Sequence, residues 1–328
     1  MNREHFKIIS SRILSSIFVL FLVVSFVFII IHIAPGNPAY KYISPKFSQE
    51  VFDKISESYN LNSSIADQYL SYIKNVFSGD LGVSYNYKEP VVDVLLPYLK
   101  FTLVFATLAF IFQIIISFLL VYFVVQSNSK IIAKYLSNIN LTLYSIPVFI
   151  TSLFLIYFFS FQLNLFPSSG LSSFNFGELN IFQQFWDYSR HLILPLIASS
   201  LIGIPIYYKY LLDSVKSNLD EIYIKNLELI GLPKKMILFK NVFPNSINSV
   251  IAVAGVEYGM LLGGSVIVET IFALPGMGRL TMNAVMSRDY PLIISTVLTS
   301  AIIIMFVNLV ADLLRVIIDK RLFKGLVS

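Results

Sequence analysis

The chain has 328 residues, 56% of them hydrophobic and 13% charged, with a formal net charge of +5 and no cysteine. Soluble domains run near ~25% charged, so this balance excludes an ordinary soluble enzyme, and the missing thiols exclude disulfides, thiolate metal sites and cysteine nucleophiles. The basic residues mostly border apolar stretches, so nucleic acid is not an expected partner and the lipid bilayer is.

The first element is the apolar run Ile13–Ile33 behind Arg3, Lys7 and Arg12. It is too long for a signal-peptide core, and no clear small-x-small cleavage site follows. The sequence therefore predicts a retained first membrane helix within residues 1–33. In segment 34–100, Val51, Phe52, Ile55 and Tyr59 recur at helical spacing. Ile65, Tyr69, Tyr72, Ile73, Val76 and Phe77 do so again, behind a capping-box pattern from Ser64 to Asp67. Gly79-Asp80-Leu81-Gly82 then marks a turn. These features predict a small helical external subdomain over 34–100.

Five more spans are predicted at Phe101–Val125, Leu136–Phe161, His191–Tyr208, Asn245–Val268 and Pro291–Leu314. No charge interrupts 101–129 or 135–176, and each block exceeds the roughly 20 residues that cross a bilayer. The expected fold is thus an all-α integral membrane protein with six transmembrane helices. Its five-helix core would cover 101–314 and its tail 315–328. With the N-terminus inside, 15 of the 24 Lys and Arg fall in inner segments. The two short outer loops hold Arg190, Arg279 and Arg288. Basic residues favour the cytoplasmic side, which predicts a multi-pass protein of the cell membrane with both termini cytoplasmic.

The largest inner segment, 209–244, carries six Lys and four acidic residues. It has no Walker A pattern to cradle nucleotide phosphates. Leu219, Ile222, Tyr223, Asn226 and Leu227 fit one helical face, and Gly231 suits a left-handed helix end. Pro233 suits the first turn of a second short helix running to Phe243. In the fifth span Gly255, Gly259 and Gly263 recur every four residues, with Gly264 beside the last. Small residues at that spacing let two helix backbones approach closely in lipid, within one subunit or between two. Glu269-Thr270-Ile271-Phe272-Ala273-Leu274-Pro275-Gly276-Met277-Gly278 follows, then Arg288-Asp289-Tyr290-Pro291. Its Pro and Gly residues suit non-helical backbone, which membrane depth tolerates only where protein or water surrounds it.

The charged hairpin from Gly231 to Pro244, followed by this Glu269–Gly278 signature, resembles the membrane subunit of binding-protein-dependent ABC importers of the dipeptide/oligopeptide/nickel family. Ala34-Pro35-Gly36-Asn37-Pro38, Gly79–Gly82 and Arg190–Pro195 also look like family landmarks, so the resemblance runs along nearly the whole chain. It implies a Type I ABC importer-like permease forming half of a transmembrane heterodimer with a second, homologous permease. A separate ABC ATPase would hold ATP and Mg, and a soluble binding protein would deliver the solute. This chain would bind no cofactor and catalyse nothing. Residues 221–232 would form the helix that seats on the ATPase, with Glu221, Tyr223, Lys225, Leu227, Glu228, Gly231, Leu232 and Pro244 as its residues. Lys225-Asn226-Leu227-Glu228-Leu229-Ile230 departs from the alanines and basic residues common before that glycine. Peptides are the default solute of such systems; nickel, metal chelates and sugars also occur.

Intramembrane carboxylates are costly and tend to face a cavity or a partner. Glu257, Glu269 and Asn308 are accordingly pathway candidates; for Glu257 the alternative is a bond to a neighbouring helix. His5, His32 and His191 are scattered, so no metal site is expected. Without HExxH, GxSxG or cysteine, an intramembrane enzyme is disfavoured. A proton-coupled secondary transporter or channel is the alternative, but it leaves the 231–244 loop unexplained.

Overall fold

The computed structural model describes residues 3–33, 64–127, 129–263 and 265–318. The spacing at Val51, Phe52, Ile55 and Tyr59, the Ala34–Pro38 landmark, Gly264 and the tail beyond residue 318 lie outside these residues. Among the described residues the chain is helical, with one isolated bridge between Val83 and Pro90. In chain order the helices are α1 (Arg3–Ile33), α2 (Ile65–Phe77), α3 (Val91–Ser127), α4 (Lys130–Ser145), α5 (Val148–Leu155), α6 (Ile181–Leu219), α7 (Ile222–Leu229), α8 (Lys234–Ile237), α9 (Phe243–Leu262), α10 (Val266–Ile271), α11 (Met277–Ser287) and α12 (Tyr290–Ile318). Contacts group residues 1–100 with 280–302 as one compact unit, and 101–279 with 303–328 as another.

Among the described residues three helices, α3, α6 and the Tyr290–Leu313 stretch of α12, are long and apolar enough to cross a bilayer. Two bent pairs would raise that number to five, and α1 contains a shorter apolar stretch, Ile17–Ile30. One bent pair corrects the predicted span Leu136–Phe161. The chain turns by 98° between α4 and the helix running from Val148 to Gln162. Pro147 is the cause, because its ring disfavours helical backbone at the preceding residue and it has no N–H to donate. Ile146 is accordingly extended, at φ −83° and ψ 124°. The α5 helix then widens into π-helical turns over Ile156–Gln162. The predicted span Asn245–Val268 is likewise divided, into α9 and α10.

In the first unit Ser64 caps α2 by accepting from the Asp67 N–H at 3.2 Å. The reciprocal half of the capping box is replaced by the Ser64 hydroxyl donating to the Asp67 carboxylate at 2.6 Å. Phe28 of α1 meets Tyr69 of α2 edge-on at 5.2 Å, and Ser25 shares a 2.6 Å hydrogen bond with the Tyr69 hydroxyl. Gly79 and Gly82 both take φ near +79°, as the predicted turn requires. The buried Asp289 then joins distant segments. It accepts from the Ser84 hydroxyl, from the Asn86 N–H at 2.9 Å and from the Leu292 N–H at the start of α12.

In the second unit α6 is the most buried of the long helices. It stays helical through Pro195 and Pro205. Near Pro205 two polar residues of α3 grip its backbone: Gln113 Nε2 donates to Ser199 O at 3.1 Å and Ser117 Oγ to Ile204 O at 3.0 Å. Gly203 is needed there, since a Cβ would overlap the Gln113 amide.

Candidate functional site

The charged segment after α6 is folded rather than loose. Ile230 follows α7, and Gly231 takes φ +85°. The Gly231 N–H donates to Glu228 O at 3.0 Å and the Leu232 N–H to Leu227 O at 3.2 Å. This pair of bonds is a Schellman closure, which satisfies carbonyls that every helix end leaves open. A Cβ at position 231 would meet nothing within 4 Å among the described residues. Backbone conformation alone therefore calls for glycine at this position.

Pro233 then caps α8 in extended conformation, one residue earlier than a first-turn proline. Ile224 of α7 is fully buried, together with Ile237, Leu238 and Val242, against Val121 and Val125 of α3 and Leu211 and Val215 of α6. Burying one such side chain stabilises by about 2 kcal/mol, so the short helices are fixed to the long ones. Polar ties reinforce them. Lys234 Nζ donates to Val125 O at 3.0 Å, placing a cation on the last turns of α3. Asn245 Nδ2 donates to the Tyr223 hydroxyl at 3.0 Å, and Asn218 Nδ2 to Ser246 Oγ at 3.1 Å.

The other face of the loop is exposed. Glu221, Tyr223, Lys225, Glu228 and Pro244 reach solvent, while Leu227 and Leu232 are half-buried. Three large apolar side chains stand out beside these charges: Ile222 at 75%, Leu229 at 85% and Ile230 at 76% exposure. An apolar patch rimmed by charge in a polar loop has the character of a docking surface.

The glycine row on α9 packs within the chain. A Cβ on Gly255 would overlap Ala311 of α12, whereas on Gly259 or Gly263 it would stand 3.4 or 3.3 Å from Ile304. Asn308 lies over the same seam, its Oδ1 within 4 Å of where Cβ atoms at 255 and 259 would be. The structure thus places this pathway candidate between helices.

Glu269 is placed differently from a cavity-lining group. It is fully buried and receives the Arg279 N–H at 3.0 Å and the Thr102 hydroxyl at 3.3 Å. Thr102 in turn accepts from the Met277 N–H at 2.8 Å. The carboxylate thereby caps the start of α11, where the helix dipole favours an anion. Gly276 and Gly278 of the signature make room for it. A Cβ at 276 would overlap the carboxyl group, and one at 278 would come within 2.9 Å of Oε2 and 2.8 Å of the Val266 backbone. Ala273, at φ +53°, turns the chain between α10 and α11, and Arg279 Nη1 donates to its carbonyl.

Glu257, by contrast, borders a cavity of about 740 Å³ between α4, α6 and α9. Ser137, Asn140 and Tyr144 line it from α4, and Tyr208 and Lys209 from α6. Asn140 is 5% exposed, and its Oδ1 has no hydrogen-bond partner among the described residues. Sequence reasoning missed Asn140; the available signal was a pair of amides, Asn138 and Asn140, in an uncharged stretch.

Comparison with known proteins agrees along the chain. The family described as "Binding-protein-dependent transport system inner membrane component" matches residues 124–324, and its N-terminal companion matches 5–106. The dipeptide transport system permease protein DppB of Alkalihalophilus pseudofirmus is 32% identical, over 90% of this chain and 92% of its own. The oligopeptide transport system permease protein AppB of Bacillus subtilis is 33% identical, over 95% and 97%. The DppB protein of Escherichia coli is 30% identical, over 90% and 92%. Among solved structures, a chain of the MetNI methionine ABC transporter in inward-facing form matches with a TM-score of 0.52 at 15% identity. That match covers 70% of this chain and 96% of the other, and it is a likeness of fold.

Proposed function

We propose that this chain, which belongs to the binding-protein-dependent transport system inner membrane component family, forms half of the translocation pathway of an ATP-driven peptide importer. It is an ABC permease of the peptide import family, not an enzyme. A soluble binding protein would deliver the peptide, a second permease would complete the pathway, and ATP with Mg would act on a separate ATPase. Both termini would be cytoplasmic, with 34–100 outside and 209–244 inside.

The observation that carries this reading is the 209–244 loop. Its helix α7 is pinned by Ile224 to α3 and α6, yet presents Ile222, Leu229 and Ile230 outward. Motion of an ATPase seated on that patch would pass to the long helices, because the loop cannot yield separately. A proton-coupled transporter would have no use for such a patch.

The test is purification of the tagged chain from native membranes in mild detergent, with mass spectrometry of what accompanies it. A Walker A-bearing ATPase and a second permease are expected with the wild type. The ATPase should be lost from Ile230→Asp, whose side chain is exposed and whose change leaves the fold intact. Vesicles holding the complex should take up dipeptide only with ATP. Uptake driven by a proton gradient without ATP, by a chain purified alone, would overturn the reading.

A further inference from the structure

The 740 Å³ cavity between α4, α6 and α9 has a chemical character beyond being a space. Asn140 donates from Nδ2 to Leu136 O at 2.8 Å. That bond fixes the amide orientation, since the opposite one would set two oxygens against each other. Oδ1 is therefore the atom left over, buried and unpartnered among the described residues. An unmet acceptor of this kind is costly. Glu257 adds a half-buried carboxylate to the same cavity from α9, with no hydrogen bond or ion pair among the described residues. Two acceptors without donors, one of them charged, suit a group that has several donors and a positive charge. An ammonium group has three N–H donors and no acceptor.

The rest of the lining narrows the ligand. Lys209, Asp213 and Lys216 also face the cavity, so the formal charges of its described lining balance: two ammonium groups against two carboxylates. No histidine among the described residues lines it, so these offer a nickel ion none of the imidazole that suits that metal. A zwitterion finds both signs there. We infer that Asn140 and Glu257 form a recognition subsite for the free α-ammonium group of a peptide in transit. This inference rests on the importer reading and selects peptides with a free N-terminus from the solutes that reading admits.

The experiment uses the complete transporter in lipid nanodiscs without its binding protein, so that protein's own selectivity does not enter. Saturation-transfer NMR measures the affinity of alanyl-alanine and of N-acetyl-alanyl-alanine. Losing a charge-assisted hydrogen bond costs about tenfold in affinity. Acetylation is expected to weaken binding to the wild type by that factor. Glu257→Gln and Asn140→Leu should each weaken the free dipeptide similarly, and acetylation should cost Glu257→Gln little more. Glu257→Asp, which keeps the charge, should retain most of the affinity. Equal affinity of wild type and Glu257→Gln, or equal loss in the Asp and Gln variants, overturns the subsite. So does a wild type that binds neither dipeptide. ATP-dependent uptake of alanyl-alanine by the complex with its binding protein is scored separately. If that uptake persists when the subsite fails, the importer reading stands alone; if it is absent from the wild type, the importer reading falls.

Discussion

The carboxyl group of Glu269 occupies the space that a side chain on Gly276 would need. Seven residues apart in sequence, the two meet because Ala273 turns the chain back and Glu269 caps the helix that begins at Met277. The glycine and the glutamate of this signature therefore constrain each other, and each explains the presence of the other.

Replacing Gly276 with Ala should destabilise the protein by about 1–3 kcal/mol, the usual cost of overpacking a well-filled site. Glu269→Ala should also destabilise, because buried N–H donors at the start of α11 lose their acceptor. The double variant should be more stable than the sum of the two losses predicts, since deleting the carboxyl group makes room for the added methyl. Thermal unfolding of the detergent-purified chain measures all three. Strict additivity would show that the two side chains do not share space.

Gly231 is a different kind of glycine, with no described residue near the place of a Cβ and a φ of +85° as its constraint. Alanine there should cost about 1 kcal/mol, and asparagine less, because asparagine visits the left-handed region more readily. ATP-driven uptake should follow the order Gly, Asn, Ala, with proline lowest. If alanine and asparagine behaved alike and both matched the wild type, the Schellman closure would not be holding the loop.

The loop around Gly231 was legible in the sequence because its determinants are local: apolar spacing before a glycine, and a proline after it. The break at Ile146-Pro147 was equally local, but the absence of charge on both sides, from 135 to 176, masked it. Hydropathy records what a stretch can cross and says nothing of its direction. The family signature could be recognised, yet the work of Glu269 could not be read from it. Its partner Thr102 lies 167 residues earlier, and only the fold brings the two together. Glu257 stood out as a carboxylate in an apolar helix, whereas Asn140, an uncharged residue on another helix, did not.

Asp289 should be the least replaceable carboxylate of the first unit. It holds Ser84 and the Asn86 N–H, more than 200 residues away in the chain, at the first turn of α12. Asp289→Asn keeps the shape but turns one oxygen into a donor that faces the Ser84 hydroxyl or a backbone N–H. A loss of about 1–3 kcal/mol is expected for such a buried group. Asp289→Ala should lose at least as much, while Ser84→Ala should lose less, because Asp289 keeps the Asn86 and Leu292 N–H donors although the Tyr87 N–H loses the Ser84 hydroxyl. Proteolysis of the 78–90 turn region reads the effect locally. Unchanged cleavage rates in Asp289→Asn would mean that this carboxylate does not hold the turn.

The glycines of α9 should rank by what stands opposite them. At 255 even a methyl group overlaps Ala311, so Gly255→Ala should separate α9 from α12 and lower the yield of folded chain. At 259 the added methyl comes to 3.4 Å from the Ile304 Cγ2 methyl, an ordinary contact, and at 263 to 3.3 Å from its terminal Cδ1, which can shift by a few tenths of an ångström. Alanine should be tolerated at both, and leucine at neither. If the seam served a second subunit instead, all three alanine variants would fold alone and fail together in assembly. Size-exclusion profiles of the single chain and of the complex distinguish the cases. In lipid no hydrophobic drive brings helices together, so closeness of approach decides how well they pack. A ranking of 255 below 259 and 263 in the isolated chain would place that closeness between α9 and α12.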